Sequence, residues 1–511
     1  MKKPKPVARA SHVNFGTSVP AGEQSWPNRP GSVMRMPKLH VETEERAMVT
    51  RFGGLALAEQ FCRRFGVAGL IDDNVEVLKL HLPYHESDHV LAQAMNLYVG
   101  GSCIEDMSLL QHDDAVLRML GACRLPDPTT AGDFLRRFDR RTNPEGLMGL
   151  RTANDKIQER VWKRLTRRKR RRRKHSMVVI DVDSKIKPLS GEQKQGADFG
   201  YTGKWSYHPF MISMAETGEC LAVRNRPGSA TSAKGVEDVL DELLPRLKKH
   251  YGTVLLRGDS AFDRAPMRRV CQQHGVYFAF VSPSFDNREN VAEGLEFRPF
   301  RTREARTHEA RRAHSGYQPR RKSSSHRKQR ARERGYEDKQ LKRQWLAETP
   351  YRYSRRHGPD RPTYRLVIRR QLIERHNKQQ EIFDEYRYRY VLTNLPDSFT
   401  TEAIIDETYL RCDQENLIQQ MGSGLAAWRM PVAEFDGNEA WLEIARLAWN
   451  MAKWIAQLAL PDEVIRWKWK RFRLHYVFVP AQLIKRARQT WVRLMGARST
   501  IDPLLLAFES L

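Results

Sequence analysis

Five side chains stand where this sequence could do chemistry. Asp181 and Asp183 lie in the apolar run "MVVIDVDS" (177–184), Asp259 ends "TVLLRGD" (253–259), and Glu415 follows Arg411 by four residues in "RCDQENLIQQM" (411–421). Three converging carboxylates, Asp181 or Asp183 together with Asp259 and Glu415, would make an oxygen-rich seat for a hard divalent cation, Mg2+ first and Mn2+ as a substitute. Two such ions, roughly 3.5–4 Å apart, activate a water or a 3′-hydroxyl and stabilise the leaving oxygen in phosphoryl transfer. Each residue also has a plainer role open to it. Asp259 with Ser260 could cap a helix, and taken alone that is the better reading. Asp181 or Asp183 could pair with a basic neighbour. Arg411 and Glu415 form an i, i+4 pair, which on a surface is worth about 0.3–0.5 kcal/mol. It is the joint arrangement that favours chemistry.

The elements that must position these groups follow from hydrophobic period. "MVVIDVDS" has strand length, and "HPFMISMAETGECLAVRNRPG" (208–228) reads as two strands joined at Thr217-Gly218. "VEDVLDELLPRLKK" (236–249) is helical, acidic early and basic late, as the helix dipole favours. "TVLLRGD" is a strand, "RAPMRRVCQQHG" (264–275) a helix closed by Gly275, and "VYFAFVSP" (276–283) a strand. The order is β-ββ-α-β-α-β, in which the strands bearing Asp183 and Asp259 can lie side by side. Asp181 and Asp183 are expected to point to opposite sides of the sheet, at least one of them facing a cleft at the strand's C-terminal end. After the strand "YRYVLTNLP" (388–396), Thr400 caps a long helix carrying Arg411 and Glu415 through about Met421. The expected fold class is α/β, a mixed-sheet catalytic core with helical regions before and after it.

The chain has 511 residues, with 88 Lys+Arg against 61 Asp+Glu, a formal net charge of +27. That excess points to a polyanion partner, most simply nucleic acid, because neutralising phosphates releases counterions. Six cysteines without paired spacing fit a reducing compartment. No apolar run reaches membrane-spanning length. The start "MKKPKPVARASHVNFG" is basic without the apolar stretch of a secretory signal, so a cytoplasmic, nucleoid-associated protein is expected. Residues 1–45 read as a loose basic arm. Residues 46–166 read as a helical DNA-binding region, with Ser87 and Thr129 or Thr130 as N-caps. The run "RRKRRRRK" (167–174) makes 167–176 a basic linker. The core is then expected at 177–285 and 387–460, split by a basic insertion at 286–386, with a C-terminal region at 461–511. There "VIRWKWKRFRLHYVFV" (464–479) interleaves aromatics with cations, either a nucleic-acid surface or an element with one buried face.

Three short motifs are set aside. "HESDH" (85–89) matches a zinc-protease pattern, but Pro83 and Ser87 place its histidines across a helix start, where His85 and His89 read as polar surface or turn residues. "RGD" (257–259) ends a buried strand, and "GSG" (422–424) reads as a helix end.

In order and spacing, "YHESDHVL", "GGSCIEDMSLL", "PDPTTAGDFLRRF", "IDVDSK", "HPF", "RNRPGSATSA", "RGDSAF", "CDQENLIQQM", "RMP" and "VFVPAQL" resemble the DDE transposases of bacterial insertion sequences. The branch is the one with an RNase H-like catalytic domain and a Tyr-Arg-Glu-Lys helix signature. The resemblance runs from about Tyr84 to Val479. It implies Asp183, Asp259 and Glu415 as the metal-binding triad, with Asp181 as a substitute for Asp183, and Arg411 contacting DNA or orienting Glu415. It implies Mg2+-dependent cleavage at terminal inverted repeats, strand transfer to target DNA, and a homodimer on paired ends. The chain departs from the pattern in three places: Lys185 stands for threonine, Thr408 for the signature tyrosine (Tyr409 is one residue off), and Gly422 for the signature lysine. Two rival functions share these features, a DNA-binding protein without catalysis and a nuclease without strand transfer.

Overall fold

The computed structural model describes residues 40–42, 47–168, 177–284, 286–303, 306–307, 338–353, 362–376 and 382–511. The chain divides into two units, 1–46 and 47–511. Most of the expected arm, the run 169–176 and much of the insertion fall outside the described residues.

Helices open the second unit: α1 (Leu55–Phe65), α2 (Glu86–Val99), α3 (Pro128–Arg136) and α4 (Pro144–Arg168). Their starts correct the expected caps. Ser87 lies inside α2, and its amide and hydroxyl both donate to Asp72, each at 2.9 Å. The cap residue is His85, whose amide donates to the Asp88 carboxylate at 2.8 Å. At α3 the cap is Asp127, accepting from the Thr130 amide at 2.9 Å. An aspartate just before Pro128, with its free acceptor and extended backbone, displaces the threonines from that role.

The strands then follow as β1 (Met177–Ser184), β2 (Phe210–Met214), β3 (Cys220–Arg224), β4 (Thr253–Gly258), β5 (Tyr277–Ser282), β6 (Arg298–Pro299), β7 (Asp338–Tyr351), β8 (Tyr364–His376) and β9 (Ile382–Thr393). Helix α5 (Val236–His250) joins β3 to β4, and α6 (Ala265–Gln273) joins β4 to β5. All nine strands make one sheet in the order β6-β7-β8-β9-β5-β4-β1-β2-β3. β1 is antiparallel to β2 but parallel to β4, and β4 is parallel to β5. The order 3-2-1-4-5 with strand 2 reversed is an RNase H-like core, as expected.

Alternation along β1 assigns the two faces of the sheet. Val178, Ile180 and Val182 pack with Val254 and Leu256 under α5 and α6. Val179 and Leu255 pack on the other face, against Ile404 and Ile405 of α7 (Thr401–Tyr409). A short 3-10 turn links α7 to α8 (Asp413–Ser423). Thr400 caps α7 as expected, accepting from the Ala403 amide at 3.2 Å.

Two observations differ in extent from the sequence reading. Within 286–386 the structure places β7, β8 and the start of β9, whereas the sequence pattern has regular structure resume only at Tyr388. The signal is masked by cations: in "YRLVIRRQLIERH" Tyr364, Leu366 and Ile368 are buried, while arginines such as Arg370 lie over aromatic rings. The final long helix, α9 (Phe435–Ala459), is buried all round and shares one core with α1–α4 and with Trp469, Phe472 and Tyr476. Those three aromatics give the "VIRWKWKRFRLHYVFV" stretch a buried face, and Arg471 stacks on Trp467 at 3.8 Å outside it.

Candidate active site

Asp181 and Asp183 sit near the C-terminal end of β1. They share a face, because residues two apart on a strand point the same way, and the expectation of opposite sides is corrected on that ground. What separates them is their partner. Asp181 is buried and lies in register with Arg257 of β4. Arg257 donates from Nε to Asp181 Oδ1 at 2.7 Å and from Nη2 to Oδ2 at 2.8 Å, and its Nη1 donates to the Glu407 carbonyl at 2.6 Å. Burial pushes the Asp181 carboxyl up despite the downward pull of Arg257, and it also opposes the Arg257 charge. The hydrogen bonds to Asp181 overcome that and hold Arg257 above its ordinary value. The forked geometry uses both carboxylate oxygens and identifies an ionised pair.

Asp183 has no such partner. Its Oδ1 accepts from the Ser184 amide at 2.7 Å, and Arg411 Nη1 stands 4.0 Å from Oδ2. Burial pushes its pKa up to about 6; the Ser184 amide and Arg411 pull downward, while the charges of Asp259 and Glu415 push it further up. Of the five sequence-selected residues, Asp259, Glu415 and Arg411 all act on Asp183 through their charges, whereas Asp181 is clamped by Arg257.

Asp259 follows β4 directly. Its Oδ1 accepts from the Ala261 amide at 2.9 Å, which closes a turn. It caps no helix, since α6 begins only at Ala265 with Arg264 as its cap residue. The loop is tied down by Asp263, a buried carboxylate that takes Tyr353 Oη at 2.9 and 3.0 Å and also holds Arg268 and Ser282. Glu415 is exposed on α8, and the residue before it fixes the helix: Gln414 is buried, bonded to Ser213 and, at 3.3 Å, to the Met211 carbonyl of β2.

The donor set fits a hard cation. It is made of carboxylates only, and the half-buried Asp183 carries a raised pKa beside two more acids, which a bound cation would relieve. The three carboxylates do not form a single tight cage: among the described residues only Asp72, His85 and Glu86 bring three ligand atoms within 4.8 Å of one another.

Two members of that group, His85 and Glu86, belong to "HESDH" while Asp72 lies upstream of it, and both carboxylates are engaged by backbone amides. Glu86 Oε1 accepts from the Val77 and Leu78 amides at 3.1 and 3.0 Å, and Asp72 accepts from Ser87. His89, expected as a surface or turn residue, is buried and stacked on Phe134 at 4.4 Å between centroids. It lies on the apolar side of α2, where burial pushes its pKa down to about 4.

The departures have structural reasons. Thr408 is buried, and its hydroxyl donates to the Ile404 carbonyl at 2.7 Å. Tyr409 packs beneath Arg369, 4.7 Å from the ring centroid. A Cβ at Gly422 would collide with the Trp428 indole, lying 2.9 Å from Nε1 and closer still to a ring carbon. Trp428 is fixed there by a bond from Nε1 to the Ile418 carbonyl at 3.0 Å. Sequence reading missed Arg257 as the partner of Asp181. The signal was available in its place two residues before Asp259, on the strand expected beside β1.

The model of the family described as "Transposase DDE domain group 1" matches residues 32–511. No curated protein matches the chain. Among solved structures, the piggyBac transposase synaptic complex with hairpin DNA is similar at 10% identity, covering 84% of this chain and 80% of that one, with a TM-score of 0.36.

Proposed function

Because the chain belongs to the transposase DDE domain family, group 1, we propose that it is an active transposase that binds the inverted repeats of its own element, cuts there and joins the freed ends to target DNA. The observation that carries this reading is the electrostatic meeting of Asp183, Asp259 and Glu415 at the ends of two adjacent parallel strands and one helix. A net charge of +27 supplies the attraction for DNA.

Asp183, Asp259 and Glu415 would hold Mg2+, with Mn2+ as a substitute. Bound there, the ions supply a nucleophilic oxygen and stabilise the leaving oxygen. Carboxylates spread wider than one coordination sphere suit two ions better than one. Arg411 restrains the Asp183 carboxylate and stands ready for a DNA phosphate. Asp181 holds Arg257, and through the Glu407 carbonyl Arg257 holds the end of α7, so this pair positions α8 and contacts no substrate. We assign a homodimer on paired DNA ends as the working assembly, in the cytoplasm with the nucleoid. Among the described residues no helix is long and apolar enough to cross a membrane.

The test is purified protein with Mg2+ and a duplex carrying the inverted repeats that flank its gene. Cleaved and joined products are expected. Cleavage without joining would make the protein a nuclease, and binding without cleavage a DNA-binding protein.

A further inference from the structure

Beyond Asp183 the chain gathers cations that close no ion pair. Lys185 follows by two residues, its amide bonded to the Pro209 carbonyl at 2.9 Å. Lys187 sits in a short strand paired with Tyr207. Arg429 lies in a 3-10 turn, Ala427–Arg429, just after α8. Among the described residues, none of these three side chains makes an ion pair or hydrogen bond; Arg429 acts on Glu105 only through its charge, which helps to draw that carboxyl down. Lys194 ties the strands to the turn, with Nζ donating to the Met430 and Val432 carbonyls at 2.7 and 2.6 Å. Lys187 is partly desolvated and repelled by Arg429 and Lys185, and both effects push its pKa down. Like charges gathered in this way cost free energy unless an anion joins them.

The turn that presents Arg429 is itself strained. Ala426 and Met430, which bracket it, have φ of +55° and +52°, the left-handed region that residues with a Cβ avoid. The strain is enforced by packing: Trp428 fills the space over Gly422, and both Trp428 and Met430 are buried, leaving Arg429 as the exposed member. Strain held by a surrounding that over-determines it is a mark of a functional segment.

We propose that Lys185, Lys187 and Arg429 form a receptor for one backbone phosphodiester of the DNA strand lying across the three carboxylates. Arg429 offers a planar fork to two non-bridging oxygens, and the lysines act as point charges. The inference rests on the reading of the chain as a DNA-processing enzyme, but it concerns a separate set of residues.

The experiment measures binding of a fluorescent duplex to full-length protein in EDTA across a range of salt. The variants are R429Q, R429K, the triple K185Q/K187Q/R429Q, and a control triple, K248Q/K249Q/R269Q, on the opposite sheet face. Losing the contact to one phosphate lowers the slope of log K against log salt by roughly 0.9. The active-side triple is therefore expected to lower it by roughly 1 and to weaken binding more than tenfold at about 0.15 M salt. The control triple is expected to leave it within about 0.3 of wild type, and R429K to restore most of the binding that R429Q removes. Equal slopes for wild type and the active-side triple, with thermal melts unchanged, overturn the receptor while leaving the enzyme reading standing. Failure of the wild type to bind duplex DNA overturns both.

Discussion

Arg257 closes on Asp181 with both a 2.7 Å and a 2.8 Å hydrogen bond, and this pair leaves Asp183 as the unclamped one of two neighbouring aspartates. Both side chains are 2% exposed. Removing one partner leaves a buried charge without compensation, which costs about 3–5 kcal/mol. R257A and D181A are therefore expected to lower unfolding stability by that amount in urea titration. The double variant R257M/D181L is expected to recover much of it, because two apolar residues leave no orphaned charge.

Asp183 makes a prediction of opposite sign. Its folded pKa of about 6 lies above the ordinary aspartate value near 3.8, so between those values the folded chain holds the extra proton. Stability of the metal-free protein must fall as pH rises through that window, by up to about 3 kcal/mol. Melts in EDTA are expected to show D183N gaining on wild type between pH 4 and pH 7, and saturating Mg2+ to remove most of the difference. A D183N gain that does not depend on pH would contradict the assignment.

His89 acts in the other direction. Burial holds its folded pKa at about 4, below the ordinary 6.5, so stability is full above pH 6.5 and falls away as pH drops toward 4. The decrease is about 3 kcal/mol at most. H89F, which keeps the stacking on Phe134, is expected to flatten this acid limb without changing the pH response that D183N removes.

Gly422 is fixed by sterics. A side chain there must displace the buried Trp428. G422K, which restores the lysine of the related pattern, is expected to destabilise the chain by about 1–3 kcal/mol and to lower DNA cleavage rather than raise it.

How much of this was legible in the sequence differs from group to group. The strands of the core were readable because Val, Ile and Leu cluster in short runs between turn residues, and their order fixed which carboxylates could meet. The roles of Asp181 and Asp183 were not readable, since both are aspartates on one face and only the register with β4 puts Arg257 against the first. The cap roles went to His85 and Asp127 because Asp72 engages Ser87 first and because the aspartate before Pro128 itself accepts from the Thr130 amide and hydroxyl. The strands β7 and β8 were hidden because the arginines of β8, lying over aromatic rings that include Trp345 of β7, look like solvated charge in a one-dimensional pattern. Asp259 is no helix cap because α6 starts six residues later, a boundary no local signal marks.

The most direct test of the central claim compares single variants in Mg2+-dependent cleavage of a duplex carrying the inverted repeats that flank the gene, at a temperature where all remain folded. D183N, D259N and E415Q are each expected to fall at least about a thousandfold in rate, the scale on which electrostatic stabilisation of a transition state is felt. D181N is expected to stay within about tenfold of wild type. Cleavage that survives D183N but is abolished by D181N would contradict the account.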